Sequence, residues 1–508
     1  MTELDYLKLN KGQKMLHGLG QFFVHLPGRI GQGFLGIGKW VLRVCKGLWN
    51  EILDTVNTFI QGDWKTRLSF PIMGFGSCAR GQWGRGILFF LFQVVFNLYM
   101  FFPNASFSGC FFLGKLGTLG TVEAKKVNRV MQPGDNSFFI LLYGVLTIFF
   151  ILAFIYTWRL NIRQNKISEQ ILRSGGKLKT TRDDMASLMD DQFHKTLLAL
   201  PTLGVFLFTI VPIIFMILVA FTNFDKQHQP PQKLFTWTGW SNFHELLSTD
   251  TTAYGVTFGK ILLWTLIWAF FATFLNYFLG MTVAIMINKK GIRLKKVWRT
   301  ILVMTIAIPQ FISLLYVSKM FASDGIINTA LKDWGWIAKM KDWGWITGDV
   351  LPFWSDPIWA RVTIIIINIW IGIPYMMLIA TGILMNIPAD LYESARIDGA
   401  NALQMYGKIT LPYMLFVTGP YLLTSFTGNI NNFNVIFLLN GGGPTSMDMK
   451  VPAGGTDLLI TWLYKLTVND TNYKLAAVIG ILVFVVLAII NLIAYNLIPS
   501  VKNEEDFQ

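Results

Sequence analysis

The chain has 508 residues, of which 53% are hydrophobic and only 14% are charged. Soluble domains carry about 25% charged residues, so this composition excludes an ordinary soluble protein and predicts a membrane protein. The net charge of +14 does not indicate a nucleic-acid partner, because the basic residues cluster beside apolar segments, where they orient membrane proteins or touch anionic lipid.

Residues 1–86 are hydrophilic and basic, and we interpret them as a cytoplasmic or interfacial N-terminal region. Within them, residues 15–60 alternate apolar and basic positions. This pattern favours an amphipathic segment on the membrane surface, and a disordered basic arm is the alternative.

Eight apolar segments follow, and a span needs about 20 mostly apolar residues. The predicted spans are Ile87–Phe102, Phe138–Trp158, Leu197–Phe221, Ile261–Ile287, Thr300–Val317, Val362–Leu384, Leu411–Leu439 and Leu475–Ile498. None of them contains Asp, Glu, Lys or Arg. The predicted fold class is therefore all-α, a polytopic membrane protein with about eight transmembrane helices. Its parts are two spans and a basic loop in residues 87–196, a core of six spans in residues 197–498, and a tail in residues 499–508.

Lysine and arginine cluster in the segment after the second span and in the short turn after the fourth, which predicts that these segments are cytoplasmic. An even number of spans then places both termini in the cytoplasm. The segment between the first two spans also carries Lys115, Lys125, Lys126 and Arg129, which weakens the rule locally.

The sequence Lys-Asp-Trp-Gly-Trp-Ile occurs twice, starting at Lys332 and at Lys341, in the predicted external loop before the sixth span. Tryptophan pairs near a membrane face usually form an interfacial anchor. A docking surface for an external partner is the alternative interpretation.

The cytoplasmic segment from Asn386 to Pro412 has the pattern of a short helix, a break and a second helix. Pro388 suits a first helical turn, and Asp398-Gly399 is a helix-stop signal. A second helix over about Ala400–Lys408 would lead to Pro412, which would open the seventh span. Such a rigid cytoplasmic knob can transmit force between subunits, although a plain helical hairpin would look the same.

Polar residues in the sixth and seventh spans recur at helical spacing. Asn368, Ile371, Gly372 and Tyr375 share one face, and Ser425, Asn429 and Asn432 share another. An unpaired amide in hydrocarbon costs about 2–7 kcal/mol, so these residues line a polar cavity or form hydrogen bonds between helices. Amides, hydroxyls and aromatic rings suit a sugar.

The cytoplasmic segment resembles the coupling loop of ABC importer permeases, which reads Glu-Ala-Ala, three residues, Gly, nine residues and Ile-x-Leu-Pro. The matching residues are Glu393, Ser394, Ala395, Gly399, Ile409, Leu411 and Pro412, with Asp398 before the glycine. Ser394 replaces the first alanine of the pattern. The resemblance implies that these residues engage an ATPase subunit. This chain lacks a phosphate-binding loop, so ATP and Mg would be bound by two partner ATP-binding cassette subunits, and no cofactor by this chain.

Residues 197–500, and residues 360–463 above all, resemble the MalF-type permease subunits of maltose and maltodextrin importers. The resemblance rests on Trp370-Ile-Gly-Ile-Pro-Tyr, Ser425-Phe-Thr-Gly-Asn and Asn440-Gly-Gly-Gly-Pro. It implies a type I importer permease fold in a bacterial cell membrane. It further implies that sugar is contacted by Asn368, Ile371, Gly372, Tyr375, Ser425, Gly428, Asn429 and Asn432. Gly428 departs from the family pattern, which has an aromatic residue there.

The implied partners are a second, homologous permease subunit and an external solute-binding protein. The short loop Asn223–Lys260 resembles that of Gram-positive members, in which the binding protein is lipid-anchored. A galacto-oligosaccharide is the alternative cargo. An ion-coupled sugar transporter is less favoured because the spans lack a titratable residue. A membrane enzyme is also less favoured, since Asp183-Asp184 and Asp190-Asp191 look like solvated loop charges.

Overall fold

A computed structural model describes residues 36, 38–101, 107–127, 130–132, 134–248, 251–289, 291–446 and 449–497. The chain divides into two compact units, one formed by Met1–Leu116 with Leu142–Thr209 and the other by Gly117–Leu141 with Ile210–Gln508. Much of the predicted amphipathic segment, residues 15–35 and 37, and the tail 499–508 lie outside the described residues.

The first unit is helical throughout its described part. Its helices are α1 (38–61), α2 (Trp64–Leu68), α3 (Phe75–Cys78), α4 (Trp83–Phe101), α5 (Gly109–Lys115), most of α6 (Ser137–Arg173), α7 (Thr181–Met189) and α8 (Phe193–Val205). Helix α6 has 37 residues, which at 1.5 Å per residue is far longer than a hydrocarbon layer of about 30 Å. Its basic C-terminal part therefore extends beyond the membrane.

A buried arginine fixes the segment around α2 and α3 to the C-terminal part of α6. The guanidinium of Arg80 donates to Asp63 at 2.6 Å, to the hydroxyl of Thr66 at 2.7 Å and to the Asn165 side chain at 2.7 Å. The Thr66 hydroxyl in turn donates to Glu169 at 2.8 Å. A buried charge is tolerated only with such partners, so this cluster fixes the local fold.

The second unit contains a two-stranded antiparallel sheet, in which Lys126 pairs with Met131, and a larger set of helices. Its elements are β1 (Lys125–Val127), β2 (Val130–Gln132), α9 (Val211–Val219), α10 (Ser241–Leu247), α11 (Ala253–Asn288), α12 (Lys295–Ala307), α13 (Gln310–Met320), α14 (Ile326–Asp333), α15 (Trp336–Asp342), α16 (Pro357–Leu384), α17 (Ala389–Ile397), α18 (Ala402–Met405), α19 (Leu411–Ile430), α20 (Phe433–Asn440), α21 (Leu459–Val468) and α22 (Tyr473–Leu497).

Seven helices in the described residues are long and apolar enough to cross a membrane, and they coincide with seven of the predicted spans. The fifth predicted span, Thr300–Val317, is not a straight helix: α12 and α13 meet at an angle of 94°. Pro309 explains the break, because proline lacks an N–H and forces the preceding residue, Ile308, into extended conformation, here with ψ of 129°. With this difference, the predicted all-α polytopic fold is confirmed.

Two π-helical turns let spans continue through proline. Phe206–Ile210 precedes Pro212, and Tyr406–Thr410 precedes Pro412. A proline ring clashes with the carbonyl four residues earlier, and widening the preceding turn relieves the clash. Pro412 remains the predicted start of the seventh span, but the helix itself begins earlier, because α18, the π turn and α19 form one continuous helix.

Each Lys-Asp-Trp-Gly-Trp-Ile repeat ends one helix and turns the chain. Gly335 and Gly344 have φ of +72° and +73°, so the left-handed conformation needed after a helix falls on glycine. Ile337 and Ile346 are buried in one small core, whereas Trp334 and Trp345 are 71% and 61% exposed. The repeat is thus a structural repeat that points its tryptophans outward.

Candidate functional site

A cavity of about 510 Å³ lies among α11, α16, α19 and the break between α12 and α13. No Asp, Glu, Lys or Arg lines this cavity among the described residues. Its polar lining comes from amides, hydroxyls and phenols, namely those of Thr273, Asn276, Tyr277, Thr305, Gln310, Ser313, Asn368, Tyr375, Tyr421, Ser425 and Asn429. This chemistry suits a neutral ligand that has many hydroxyl groups.

Six of the eight residues predicted to contact a sugar line this cavity. They are Asn368, Ile371, Gly372, Tyr375, Ser425 and Asn429. Gly428 and Asn432 do not line it. Helix α19 ends at Ile430, so Asn432 does not share its face: its side chain accepts from the Val435 N–H at 3.3 Å and caps α20.

Two amide atoms at the cavity have no hydrogen-bond partner among the described residues. One is Nδ2 of Asn368 and the other is Oδ1 of Asn276, and both are buried. Asn368 is only 6% exposed. A buried amide atom without a partner is destabilising by about 1–3 kcal/mol, so a ligand acceptor near Nδ2 of Asn368 or a ligand donor near Oδ1 of Asn276 would be stabilising.

Asn429 is held in place from two sides. Its Nδ2 donates to the Thr273 hydroxyl at 3.0 Å, and its backbone carbonyl accepts from Nε1 of the buried Trp268 at 3.0 Å. Asn432 supports it with a longer hydrogen bond to Oδ1, at 3.4 Å. Such supporting contacts hold a binding side chain in one orientation.

Gly372 is required by the close packing of α11 and α16. A Cβ atom at this position would lie 2.3 Å from Nδ2 of Asn276. The side chain of Asn276 is fixed by donation to the Ala272 carbonyl at 2.8 Å. The glycine therefore leaves room for an amide at the cavity wall, whether or not it touches the ligand itself.

Sequence reasoning missed several polar residues of the cavity wall. Thr273, Asn276 and Tyr277 lie at i, i+3 and i+4 of α11, the same spacing that identified the other two faces. That signal was present in the sequence. Gln310 and Ser313 reach the cavity only because of the helix break, and an apolar pattern interrupted by one proline does not predict its angle.

The predicted cytoplasmic knob begins with helix α17, which ends at a glycine. Gly399 has φ of +77°. Its N–H donates to the Arg396 carbonyl at 3.0 Å, and the Ala400 N–H donates to the Ala395 carbonyl at 2.8 Å. These bonds close the helix, so the predicted stop at Asp398-Gly399 is where the structure turns.

The tip of this loop exposes large apolar side chains. Ile397 is 86% exposed and Leu403 is 81% exposed. Glu393 and Ser394 are exposed beside them, Asp398 is exposed, and Ala395 is half-buried. Ile409, Leu411 and Pro412 are half-buried in the helix that follows. Apolar side chains exposed together with a carboxylate are typical of a protein-binding surface.

The loop is braced against the span that follows it. The hydroxyl groups of Tyr392 and Thr410 lie 2.8 Å apart, within hydrogen-bond distance. Asn401 and Gln404 form a reciprocal capping box at the start of α18. Because α18 continues into α19, which lines the cavity, the loop and the cavity wall belong to one continuous helix.

Apolar membrane-length helices around an uncharged polar cavity define a multi-pass membrane transport protein. Residues 276–503 match the family described as "Binding-protein-dependent transport system inner membrane component". The chain is 34% identical over 454 residues to the maltodextrin transport system permease protein MalC of Streptococcus pneumoniae, covering 89% of this chain and 99% of that protein. The chain therefore belongs to this family, and it is a permease subunit of an ABC import system.

Two further relatives are also permease proteins of sugar transport systems. The galactooligosaccharides transport system permease protein GanP of Bacillus subtilis is 34% identical over 436 residues, which cover 85% of this chain and 97% of that protein. The maltose/maltodextrin transport system permease protein MalF of Escherichia coli is 37% identical over 265 residues, which cover 50% of this chain and 48% of that protein. The resemblance found in the sequence is confirmed.

Proposed function

We propose that this chain imports maltose or maltodextrins across a bacterial cell membrane. It would form half of the sugar pathway with a second, homologous permease subunit. An external solute-binding lipoprotein would deliver the sugar, and two ATP-binding cassette subunits would bind ATP and Mg and hydrolyse ATP. The chain itself would bind no cofactor. The substrate class comes from the relatives, whose names include maltodextrin and maltose.

The lining of the cavity is the observation that most directly supports a sugar as the substrate. It is uncharged among the described residues, and it offers donors, acceptors and rings together. The rings of Tyr375 and Tyr421 lie 6.5 Å apart on neighbouring helices. A sugar presents hydroxyl groups at its edge and C–H groups on its face, which match amides and aromatic rings respectively.

The cytoplasmic loop supports the coupling part of the proposal. Closure of the ATPase subunits would move the loop as a rigid body, since α17 is closed at Gly399 and braced by Tyr392. The movement would reach the cavity through α19. Alternate exposure of the cavity to the two sides of the membrane would follow.

Transport by the reconstituted complex tests the substrate site. We expect Asn429→Ala and Tyr375→Ala to raise the KM for maltotetraose uptake several-fold while membrane levels of the complex stay unchanged. Asn434→Ala is the matched control, because Asn434 is exposed on α20 and does not line the cavity. Unaltered KM in both cavity variants would reject this cavity as the sugar site.

The same vesicles separate the alternatives. We expect sugar uptake to require ATP and to be unaffected by an imposed proton or sodium gradient. Uptake driven by a gradient without ATP would overturn the proposal that transport is coupled to ATP hydrolysis. A galactose-linked tetrasaccharide offered in competition distinguishes the second cargo, which the similarity to GanP favours. Stronger competition by the galactose-linked sugar than by maltotetraose would replace the maltodextrin assignment.

A further inference from the structure

Helix α1 has a narrow polar stripe and a wide apolar face. The stripe recurs every three or four residues along the whole helix and consists of Lys39, Arg43, Lys46, Asn50, Asp54, Asn57 and Gln61. The opposite face is formed by Val41, Cys45, Leu48, Ile52, Val56 and Phe59. Trp40 and Trp49 lie between the two. This arrangement is that of an amphipathic helix.

The apolar face of α1 is exposed in the structure. Ile52 and Val56 are 56% and 48% exposed, and Trp49 is 62% exposed. Six consecutive turns of a helix rarely leave such a face in water, because apolar patches of this size mark a contact with protein or membrane. Something must cover this face.

Ion pairs place the middle of α1 beside the end of a membrane span. Glu51 pairs with Arg159, and Asp54 pairs with Lys166. Arg159 is the first charged residue after the apolar run Phe138–Trp158 of α6, so it marks the level at which α6 leaves the hydrocarbon. The guanidinium of Arg173 also donates to the Gln61 carbonyl at 3.3 Å. The middle of α1 is thus held at the membrane boundary, and its C-terminal end runs beside the part of α6 that follows Arg159.

Charge and aromatic content identify what covers the other face. The N-terminal half of the stripe is basic, with Lys39, Arg43 and Lys46, whereas the acidic residues of α1, Glu51 and Asp54, pair with α6. Basic residues beside a wide apolar face, with tryptophan at the edges, suit a bilayer interface that contains anionic headgroups. We propose that the N-terminal half of α1, up to Ile52, lies in the cytoplasmic interface of the bilayer and buries Val41, Cys45, Leu48 and Ile52 in lipid, whereas its C-terminal half follows α6 beyond Arg159.

Cys45 provides the test, because it lies at the centre of the apolar face. The full chain, with Cys78 and Cys110 replaced by serine, is labelled with a nitroxide at Cys45 and reconstituted in vesicles of phosphatidylethanolamine and phosphatidylglycerol. The matched control carries the label at Asn50→Cys, on the polar stripe, with Cys45 also replaced by serine. Power-saturation electron paramagnetic resonance then measures collisions with oxygen, which concentrates in lipid, and with a water-soluble nickel chelate.

We expect the ratio of oxygen to nickel collisions to be several-fold higher at position 45 than at position 50. Equal access of the nickel chelate to both positions would show that α1 lies in water and would overturn the proposal. A label at position 45 that neither reagent reaches would show that protein, from this chain or a second copy, covers the face, and it would overturn the proposal equally.

A second variant tests the role of charge. Replacing Lys39, Arg43 and Lys46 with glutamine leaves the apolar face and the ion pairs to α6 intact. In the unsubstituted protein, we expect the oxygen-to-nickel collision ratio at position 45 to be higher in vesicles that contain phosphatidylglycerol than in vesicles of phosphatidylcholine alone. In the glutamine variant, we expect the ratio to be the same in both kinds of vesicle. Identical dependence on phosphatidylglycerol in both proteins would contradict the headgroup contact.

Discussion

At the scale of single residues, two glycines of similar predicted role have different surroundings. Gly372 and Gly428 were both predicted to contact sugar. A Cβ atom at Gly372 would lie 2.3 Å from Asn276, whereas one at Gly428 would meet nothing within 4 Å. Their conservative alanine variants are therefore a matched pair.

We predict that Gly372→Ala impairs transport and Gly428→Ala does not. Overpacking at a tight helix contact costs about 1–3 kcal/mol and displaces the Asn276 amide from the cavity wall. Uptake assays together with thermal unfolding in detergent measure both effects. Adding Asn276→Ala to Gly372→Ala should restore stability, because it removes the clash. Equal effects of the two single alanines would contradict this account of the cavity wall.

Asp225, in the segment between α9 and α10, gives a prediction for pH. Burial raises the pKa of its carboxyl, but hydrogen bonds from Lys474, at 2.8 Å, and from His228 outweigh burial and lower the pKa to about 2. In an unfolded chain the pKa of an aspartate is about 3.9. The stabilisation is therefore complete above about pH 4 and is lost as the pH falls from there towards 2.

We expect Asp225→Asn to lower the Tm at pH 7 and to flatten the decline in Tm between about pH 4 and pH 2. Asp390→Asn, at an exposed position in α17, is the control and should follow the unsubstituted protein. A Tm curve of Asp225→Asn that runs parallel to the unsubstituted one would show that the ion pair contributes nothing.

How far the sequence predicts individual site residues depends on helix continuity. Asn368 and Tyr375, and likewise Ser425 and Asn429, were found because each pair lies within one unbroken helix, where a spacing of three or four residues fixes a shared face. Asn432 was misplaced because α19 ends two residues earlier. The position of Gln310 in the cavity wall was not predicted, because it depends on the direction in which the chain continues after Pro309.

At the scale of elements, the cytoplasmic loop contains two glycines, Gly399 and Gly407, whose backbone conformations differ. Gly399 has φ of +77°, whereas Gly407 lies in the right-handed π-helical turn. A Cβ atom at either position would meet nothing within 4 Å. Any difference between their alanine variants is therefore due to the backbone alone.

We predict that Gly399→Ala uncouples ATP hydrolysis from transport and Gly407→Ala does not. A left-handed alanine costs about 1–2 kcal/mol, which favours reshaping of the end of α17 and of the exposed Glu393–Ile397 surface. The measurement is sugar transported per ATP hydrolysed in reconstituted vesicles. The same ratio of sugar transported to ATP hydrolysed in both variants would show that the backbone conformation at Gly399 does not contribute to coupling.

The break and the π turns show what element patterns predict. Apolar length located the seven membrane-length helices of the described residues, because burial in lipid requires about 20 apolar residues whatever their detailed geometry. Proline has at least three outcomes in the predicted spans: a 94° break at Pro309, widened turns before Pro212 and Pro412, and a place inside α16 at Pro374. Local sequence does not separate these outcomes, because neighbouring helices decide which freed carbonyls are satisfied.

At the scale of the whole molecule, charge predicts the membrane orientation on which the coupling proposal depends. The turn between α11 and α12 carries Lys289 and Arg293, α12 begins with Lys295 and Lys296, and the loop with Glu393 would lie on the same side. The tryptophan repeats would lie on the opposite side. The proposed ATPase subunits would reach the loop only in this orientation.

Thiol accessibility tests the orientation directly. The test uses a chain in which Cys45, Cys78 and Cys110 are replaced by serine. Thr347→Cys then places a single thiol at an exposed position before α16, and Ser394→Cys places one at an exposed position after it, so the two thiols lie beyond opposite ends of this span. We expect a membrane-impermeant maleimide added to intact cells to label Thr347→Cys and to leave Ser394→Cys unlabelled until the membrane is permeabilised. Labelling of Ser394→Cys in intact cells would place the loop outside, away from ATP, and the coupling role of Glu393 would then fail together with the predicted topology.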